Sequence, residues 1–366
     1  MRSSETRTTF LLNSTTSERR TELASKASRL GVCQIGLGWG YRHLAAYSEL
    51  SDKVDLYLCD LDGEKLQRAQ SEFNIAGVFI DIDDVLDSDR IDAVDIALPH
   101  QMHMPVAVRA AEKGKHITII KPIARTLGEA DQMIAAARLA GVKLMVTEGT
   151  WFHPGVIKSR ELVDQGFIGD VFMIRVHCWV YIDWTGGWRG IREYMGGGHL
   201  IDSGIHFVNI LRHLCPSDVD SVFSRCLKID DGNSDILENT TLTNVRFRNG
   251  AMGDLIVSMK VRQQGPDSEF YVYGTEGSLW FSHQPPVGLT LHSVKLEEYN
   301  EPKTLDWQAL GAEGYESMHQ HFVNCILEDR EPAMSGEEGR KDLEVVLAAY
   351  KAHETGMDVK LPLSVS

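Results

Sequence analysis

Apolar and polar positions follow one pattern in about the first 150 residues and a different pattern afterwards. In the first part, six short apolar runs read as buried strands, at 30–35, 54–59, 78–80, 93–98, 116–120 and 143–146. Amphipathic segments of helix length separate them, and those at 104–113 and 127–140 stop at Gly114 and Gly141, the residue type that commonly ends a helix. This alternation predicts a doubly wound parallel sheet.

After about residue 150 the apolar runs become longer and fewer helices separate them. A helix near 155–165 comes first. The strand-like runs that follow are 171–181, 222–229, 240–247, 251–261, 270–273 and 289–296. Because few helices interrupt these runs, we expect a large, mostly antiparallel open sheet. A late amphipathic helix is predicted at 335–355, and the fold class is α/β.

Composition narrows the classes of partner. The 366 residues carry 37 basic and 52 acidic side chains, for a formal net charge of −15, which disfavours nucleic acid and anionic membranes as partners. No apolar run reaches the ~18 residues of a membrane span. The six cysteines show no C-x-x-C pair, so we expect reduced, buried thiols in a cytoplasmic protein.

A glycine turn follows the first strand directly. It contains Gly36, Gly38, Trp39 and Gly40, and such a turn lets backbone N–H groups approach a pyrophosphate. The spacing is irregular, because a strict G-x-G-x-x-G would place its third glycine at position 41. Asp60 ends the second strand, 24 residues after Gly36, where a carboxylate binds ribose hydroxyls and repels a 2′-phosphate. We therefore predict NAD(H) as cofactor.

These signals divide the chain into four predicted parts. They are a tail or oligomerisation arm at 1–30, a Rossmann dinucleotide-binding domain at 31–150, a substrate-binding α/β domain at 151–334, and a C-terminal helix and tail at 335–366 that packs back between the domains. Residues 1–30 are rich in Ser, Thr and Arg and lack the apolar core of a secretory signal. A disordered tail and an arm around a neighbouring subunit both remain open.

Polar residues follow two further strands at the sheet edge where ligands bind in such folds. Pro99 and His103 follow the fourth strand, and Lys121 follows the fifth. A lysine there is either a solvated strand-end charge or a group that holds a substrate hydroxyl in the cleft.

The glycine-rich segment 196–206 places Asp202 and His206 four residues apart. If this segment is helical, the two side chains lie one turn apart on one face. A carboxylate beside an imidazole fixes the tautomer of the ring and favours its charged form. The pair is therefore predicted to accept a proton at neutral pH.

Together these features resemble the glucose–fructose oxidoreductase / inositol dehydrogenase / rhizopine catabolism (Gfo/Idh/MocA) family over about residues 31–364. The matching segments are the glycine turn at 36–40, Asp60, Pro99 with His103, 110–116, Lys121-Pro122, 167–169, 196–206, 273–279 and the ending 356–363. The resemblance implies a nicotinamide bound between two domains, and a dimer, tetramer or higher homo-oligomer packed through the C-terminal sheets.

The resemblance also implies catalytic roles. Lys121 matches the lysine of the family's Glu-Lys-Pro motif, and Asp202 with His206 matches its Asp-x-x-x-His pair. His206 is then the acid and base, Lys121 holds the reacting oxygen, and Asp202 orients His206 or binds a neighbouring hydroxyl. Two departures stand out: Ile120 replaces the motif's glutamate, and Asn209 stands where many members have aspartate.

Aromatic residues give the only hints of substrate. Trp151, Trp188, Arg189 and His199 are the predicted substrate contacts, since aromatic faces suit the C–H faces of sugar rings. Trp179, in a strand, is expected to pack in the core, and Trp184 belongs to the same cluster. The predicted substrate is a sugar, cyclitol or glycoside, with ring carbon C3 as one position of oxidation.

Two rival hypotheses remain open at this stage. One is a metal-dependent sugar enzyme, because His199, Asp202 and His206 offer the ligand types of a mononuclear centre. The other is a non-catalytic regulator that binds NAD and sugar on the same fold. Whether NAD leaves the protein between turnovers is also open.

Overall fold

The computed structural model describes residues 29–182, 186–229, 234–262, 268–282, 288–305 and 316–364. Residues 1–28 of the predicted tail or arm and Trp184 of the aromatic cluster lie outside the described residues. The hypotheses about them stay predictions.

The first sheet has six parallel strands, in the order β3-β2-β1-β4-β5-β6. Its strands are β1 Leu30–Ile35, β2 Val54–Cys59, β3 Gly77–Phe79, β4 Ala93–Ile96, β5 His116–Ile120 and β6 Leu144–Thr147. The central strands are buried along their whole length, as a parallel sheet covered by helices on both faces requires. The predicted doubly wound sheet is confirmed.

Five helices connect these strands or follow them: α1 Leu44–Ser48, α2 Gly63–Glu72, α3 Ile82–Asp87, α4 His103–Glu112 and α5 Leu127–Ala140. Local sequence fixes their ends. The Thr126 side chain accepts a hydrogen bond from Glu129 N at the start of α5, and Gly141 ends that helix with a φ of 66°. Such caps supply partners for backbone groups that a helix leaves unpaired.

The second sheet has nine strands, in the order β14-β13-β12-β11-β7-β10-β9-β8-β15. Its strands are β7 Val171–Trp179, β8 Val219–Leu227, β9 Thr240–Phe247, β10 Met252–Ser258, β11 Ser268–Gly274, β12 Gly277–Ser282, β13 Gly288–Ser293, β14 Lys303–Leu305 and β15 Val359–Lys360. Strands β7 and β10 run parallel, and the other neighbours are antiparallel. The sheet is therefore mixed but mostly antiparallel, in agreement with the prediction.

Five further α-helices belong to the later part of the described chain: α6 Pro154–Asp164, α7 Arg192–Met195, α8 Ile205–Leu214, α9 Met318–Leu327 and α10 Gly336–Thr355. Of these, α6, α8 and α10 contact strands of the second sheet, whereas α9 contacts α1 and β6 of the first part. Helix α10 contacts α5 beside the first sheet as well as α8 and β8 of the second part. Helix α9 is absent from the sequence prediction, because two histidines, a glutamine and an asparagine interrupt its apolar stripe.

The other face of the second sheet is open within the described residues. Along β7, Ile174, Val176 and Cys178 are buried, whereas Arg175, His177 and Trp179 alternate with them and are partly exposed. The expectation that Trp179 packs in the core is therefore wrong, because the two-residue period of the strand turns it to the opposite face.

The structure also bears on two expectations from composition, those about the cysteines and about membrane-spanning segments. None of the six cysteines forms a disulfide, and Cys226 is the one that is partly exposed. No helix among the described residues is both long enough and apolar enough to span a bilayer.

Candidate active site

The glycine turn after β1 is held by the end of β2. Gly36 has a φ of 89° and donates its N–H to Cys59 O at 2.8 Å. The Asp60 carboxylate accepts the N–H of Leu37 at 2.6 Å. Asp60 therefore also fixes the turn that was predicted to bind phosphate.

The irregular glycine spacing has a packing cause. A Cβ on Gly40 would overlap the side-chain amide of Gln34, which is buried beneath the turn and bonds Asp95 O at 3.0 Å. At Gly38 a Cβ would meet nothing within 4 Å. Open space at Gly38, next to a helical turn with no acidic residue, suits the close approach of a pyrophosphate.

Three other predicted cofactor residues lie around this turn and the adjacent strand end. Trp39 is 39% exposed and stacks on the Arg42 guanidinium at 4.1 Å. Pro99 follows β4 and starts a short helical turn. His103 is fully buried, with its ring nitrogens 2.9 Å from Leu98 O and from Pro122 O. Its ring ties the ends of β4 and β5 together.

Lys121 lies at the carboxyl end of β5, and Ile120 before it is buried. Its Nζ donates to the main-chain oxygen of Asp202 and lies 3.6 Å from Asp202 Oδ1. The group that contacts the Lys121 ammonium thus comes from the second half of the chain.

Asp202 lies among three basic side chains. Its carboxylate accepts a hydrogen bond from Arg189 Nε at 3.0 Å and lies 3.6 Å from Nε2 of His100. Burial alone would raise the pKa of Asp202, but Lys121, His100 and Arg189 hold it well below its usual range. Asp202 is therefore an ionised anchor. The Trp188 ring lies edge-on to His100 at 4.7 Å, so Trp188 and Arg189 border the same carboxylate.

His206 has a different partner from the one expected. Its Nδ1 lies 2.5 Å from Oε1 of Glu148, the residue just after β6, and Glu148 also accepts from Thr150 Oγ1 at 2.7 Å. The expectation that Asp202 orients His206 is wrong. Residues Leu200–Gly204 form a π-helical turn, so the chain from Asp202 to His206 is not the single α-helix that the prediction assumed.

The glycines before this turn allow a close approach of the backbone. A Cβ on Gly198 would overlap the main chain of Glu238. The buried Glu238 accepts the N–H of Leu200 at 2.9 Å and the Tyr350 hydroxyl at 2.9 Å. Tyr350 OH in turn lies 3.2 Å from the N–H of Ile201. Glu238 and α10 thus fix the segment that carries the candidate catalytic residues.

Two predicted substrate contacts have other surroundings than an open pocket. His199 is buried, its Nε2 has no hydrogen-bond partner among the described residues, and burial lowers its pKa to about 4. The Trp151 ring packs against His213 at 4.0 Å, two helical turns along α8 from His206.

The rival metal site does not form among the described residues. His206 turns to Glu148 and Asp202 to Arg189, so the three proposed ligands do not converge. The donors spaced to hold an ion, in the described part of the chain, are instead those of His43, Asp95 and His319, within 4.8 Å of one another.

Comparison with known proteins decides the family. Residues 29–148 match a family model described as an oxidoreductase family with an NAD-binding Rossmann fold. Residues 160–361 match the model of the same family's C-terminal alpha/beta domain. The chain belongs to the Gfo/Idh/MocA oxidoreductase family. It is accordingly an NAD-binding oxidoreductase.

Several Gfo/Idh/MocA relatives have names that state a sugar or cyclitol substrate. D-apiose dehydrogenase of Paraburkholderia graminis is 27% identical over 89% of this chain and 88% of its own. The NAD(+) scyllo-inositol 2-dehydrogenase of Bacillus subtilis is 28% identical over 76% of this chain and 80% of its own. The solved aldose-aldose oxidoreductase of Caulobacter crescentus is 26% identical, with a TM-score of 0.78 over 91% of this chain and all of the other.

Sequence reasoning missed Glu148 and His100 as members of the site. Both follow strands of the first sheet, at the same edge of the sheet as Lys121. The rule that ligands gather at the carboxyl ends of parallel strands would have found Glu148 had it been applied to β6.

Proposed function

We propose that this protein moves a hydride between NAD and a secondary alcohol or ketone of a sugar, cyclitol or glycoside. One observation carries the proposal: Lys121 from the first sheet contacts Asp202, four residues before His206 on the second part of the chain. Cationic, anionic and imidazole side chains thus gather beside the strand ends where the family binds its nicotinamide.

The residues divide the chemistry between them. In oxidation, the substrate hydroxyl gives its proton to His206 as the carbon loses hydride, and bound NAD supplies the hydride acceptor. Lys121 donates to the reacting oxygen and stabilises its developing negative charge. Asp202 keeps Lys121 and Arg189 in place. In reduction His206 returns the proton.

The substrate class rests on relatives and on the lining of the cleft. The named relatives act on apiose, scyllo-inositol and aldoses. In this chain Trp188 and Arg189 stand beside Asp202, with the Arg189 guanidinium 4.4 Å from the Trp188 ring centroid. An aromatic face next to charged donors suits a ring that carries hydroxyl groups.

Asp60 supports NAD rather than NADP as the cofactor. We expect Asp60→Ala to lower the preference for NAD by about tenfold, since a carboxylate there repels a 2′-phosphate. The ratio of kcat/KM with the two cofactors measures it. Asp62→Ala is the matched control, because Asp62 caps α2 and its loss should change stability without changing the ratio.

The open face of the second sheet supports a homo-oligomer of this chain. Leu242 and Met252 are more than half exposed there, beside the partly exposed Trp179, Tyr271 and Trp280. A second copy would cover this apolar face. Light scattering of Met252→Glu should show dissociation, whereas Leu139→Glu, at an exposed position on α5, should leave the assembly intact.

A substrate panel tests the reaction directly. Aldoses, pentoses, cyclitols and glycosides are incubated with NAD or NADP, and cofactor absorbance and product mass are followed. We expect NAD-dependent oxidation of at least one class, and its loss in Lys121→Ala but not in Lys158→Ala, a lysine on α6. A wild-type protein inert toward the whole panel in both directions would overturn the proposal.

A further inference from the structure

A buried carboxylate lies directly behind the candidate proton-transfer group. Glu148 is 1% exposed, whereas the His206 side chain is 27% exposed. Oε1 of Glu148 meets His206 Nδ1 at 2.5 Å and takes two hydrogen bonds from Thr150, from N at 3.1 Å and from Oγ1 at 2.7 Å. The carboxylate is held from one side while the imidazole reaches the cleft.

The surroundings keep this carboxyl group ionised. Burial alone would raise the pKa of Glu148, but His206, Thr150 and Lys121 together lower it. An ionised carboxylate only accepts hydrogen bonds. The proton on the neutral imidazole therefore belongs on Nδ1, and Nε2 keeps its lone pair.

Asp202, the carboxylate that the sequence motif places near His206, contacts other side chains instead. Asp202 contacts Lys121, Arg189 and His100, and no hydrogen bond joins it to His206 among the described residues. Among the described residues, Glu148 is therefore the carboxylate that contacts the His206 ring.

We propose that Glu148 is the positioning residue of the reaction: its carboxylate fixes the Nδ1–H tautomer of His206 and leaves Nε2 to exchange a proton with the substrate hydroxyl. This inference rests on the proposed function. In oxidation the O–H bond of the substrate breaks and its proton forms the N–H bond at Nε2, as the C–H electron pair leaves as hydride to NAD. The resulting imidazolium is balanced by the carboxylate of Glu148.

The pair also joins the two halves of the molecule. Glu148 directly follows β6 of the first sheet, and His206 lies in the first turn of α8, which packs on β7 of the second. The proton-transfer group is complete only when both parts are in contact. Other titratable groups that interact with the pair are Lys121 after β5, His199 just before the π-helical turn, and Asp342 on α10.

The tautomer gives a test that needs no turnover. Nitrogen-15 NMR of cofactor-free protein, with the His206 signals assigned by their loss in His206→Gln, reports which ring nitrogen carries the proton. We expect Nδ1–H in the wild type and a mixed population in Glu148→Gln, because an amide can either donate or accept. Asp254→Asn is the matched control, since Asp254 lies 3.6 Å from His177 on the open face.

Kinetics test the same idea from the other side. Glu148→Gln should lower kcat by about 10- to 100-fold with little change in KM, shift the acidic limb of the kcat/KM profile to lower pH, and recover in part in Glu148→Asp. If Glu148→Gln does not fold, Thr150→Val, which removes one hydrogen bond that holds the carboxylate, should lower kcat by a smaller factor.

The outcomes separate the two proposals. An active wild type with an unchanged His206 tautomer and pH profile in Glu148→Gln would overturn the role of Glu148 and leave the proposed function standing. A wild type inert toward every polyol would overturn the function, whereas the NMR result would still decide whether Glu148 sets the tautomer.

Discussion

Two histidine–carboxylate pairs in this chain have the same chemistry and different surroundings. His206 and Glu148 meet at 2.5 Å, with the imidazole 27% exposed. His43 and Asp95 meet at 3.0 Å beneath the glycine turn, with side chains 5% and 0% exposed. The imidazole of the first pair is partly exposed, whereas both side chains of the second pair are buried.

The two pairs also differ in the side chains that surround them. Asp95 also accepts a hydrogen bond from Tyr47 OH at 3.0 Å and faces His319 of α9, whose Nε2 lies 3.7 Å away. Asp95 thus lies against three side chains, and the pair links the first helical turn to α9. Exposure of the ring, rather than the pairing itself, separates a proton-transfer group from a structural one.

The largest expected effect is a difference in catalytic activity between variants of the two pairs. His206→Gln should lower kcat/KM by about 10³-fold and leave stability nearly unchanged, because the glutamine amide can still donate to Glu148. His43→Gln should leave kcat per folded molecule near the wild-type value. Steady-state kinetics and urea unfolding of both variants measure this, and equal losses of activity would show that exposure does not separate the pairs.

The first sheet was predictable because its signals are local. Strand β1, strand β5 and helix α5 begin and end where apolar runs, a capping threonine and a glycine place them. Asp60 and Gly36 also lie where one βαβ unit puts them. Each of these elements is fixed by residues within a short stretch of chain.

The site was predictable only in part because its contacts are long-range. Glu148 and His206 are 58 residues apart, and no pattern at either position specifies the register between the two sheets. The spacing of Asp202 and His206 predicted that they contact each other, but Asp202 contacts Lys121 and Arg189, and His206 contacts Glu148. His319 lies on a helix that the sequence pattern did not indicate.

The second prediction tests the buried pair by stability. Asp95→Asn should lower the free energy of unfolding by about 3 kcal/mol, because it leaves the buried imidazole of His43 without its counter-charge. Urea denaturation measures the loss. Glu72→Gln, which removes one partner of the exposed ion pair with Arg68, is the control and should cost less than about 1 kcal/mol. An equally small loss for Asp95→Asn would show that the buried pair stabilises the protein no more than an exposed one does.

The pH dependence of that cost gives a third test. Burial would lower the pKa of His43, but Asp95 raises it above its usual value. The folded protein therefore binds this proton more tightly than the unfolded chain. The resulting stability is present below about pH 6.5 and is lost as pH rises through the raised value. Unfolding at pH 6 and pH 9 should show a larger cost of Asp95→Asn at pH 6, and the reverse order would contradict the ion pair.

The smallest effect is expected at His319. Burial lowers the pKa of His319 to about 4, so the ring is neutral near pH 7, and its Nε2 has no hydrogen-bond partner among the described residues. His319→Phe keeps an aromatic ring against Tyr47, whose centroid lies 4.8 Å away, and removes a buried polar atom. Because an unsatisfied buried group costs about 1–3 kcal/mol, stability should rise or change by less than about 1 kcal/mol. A larger loss on urea unfolding would show that His319 contributes a polar interaction to the Asp95 pair, which would then be a three-residue unit with no counterpart around Glu148.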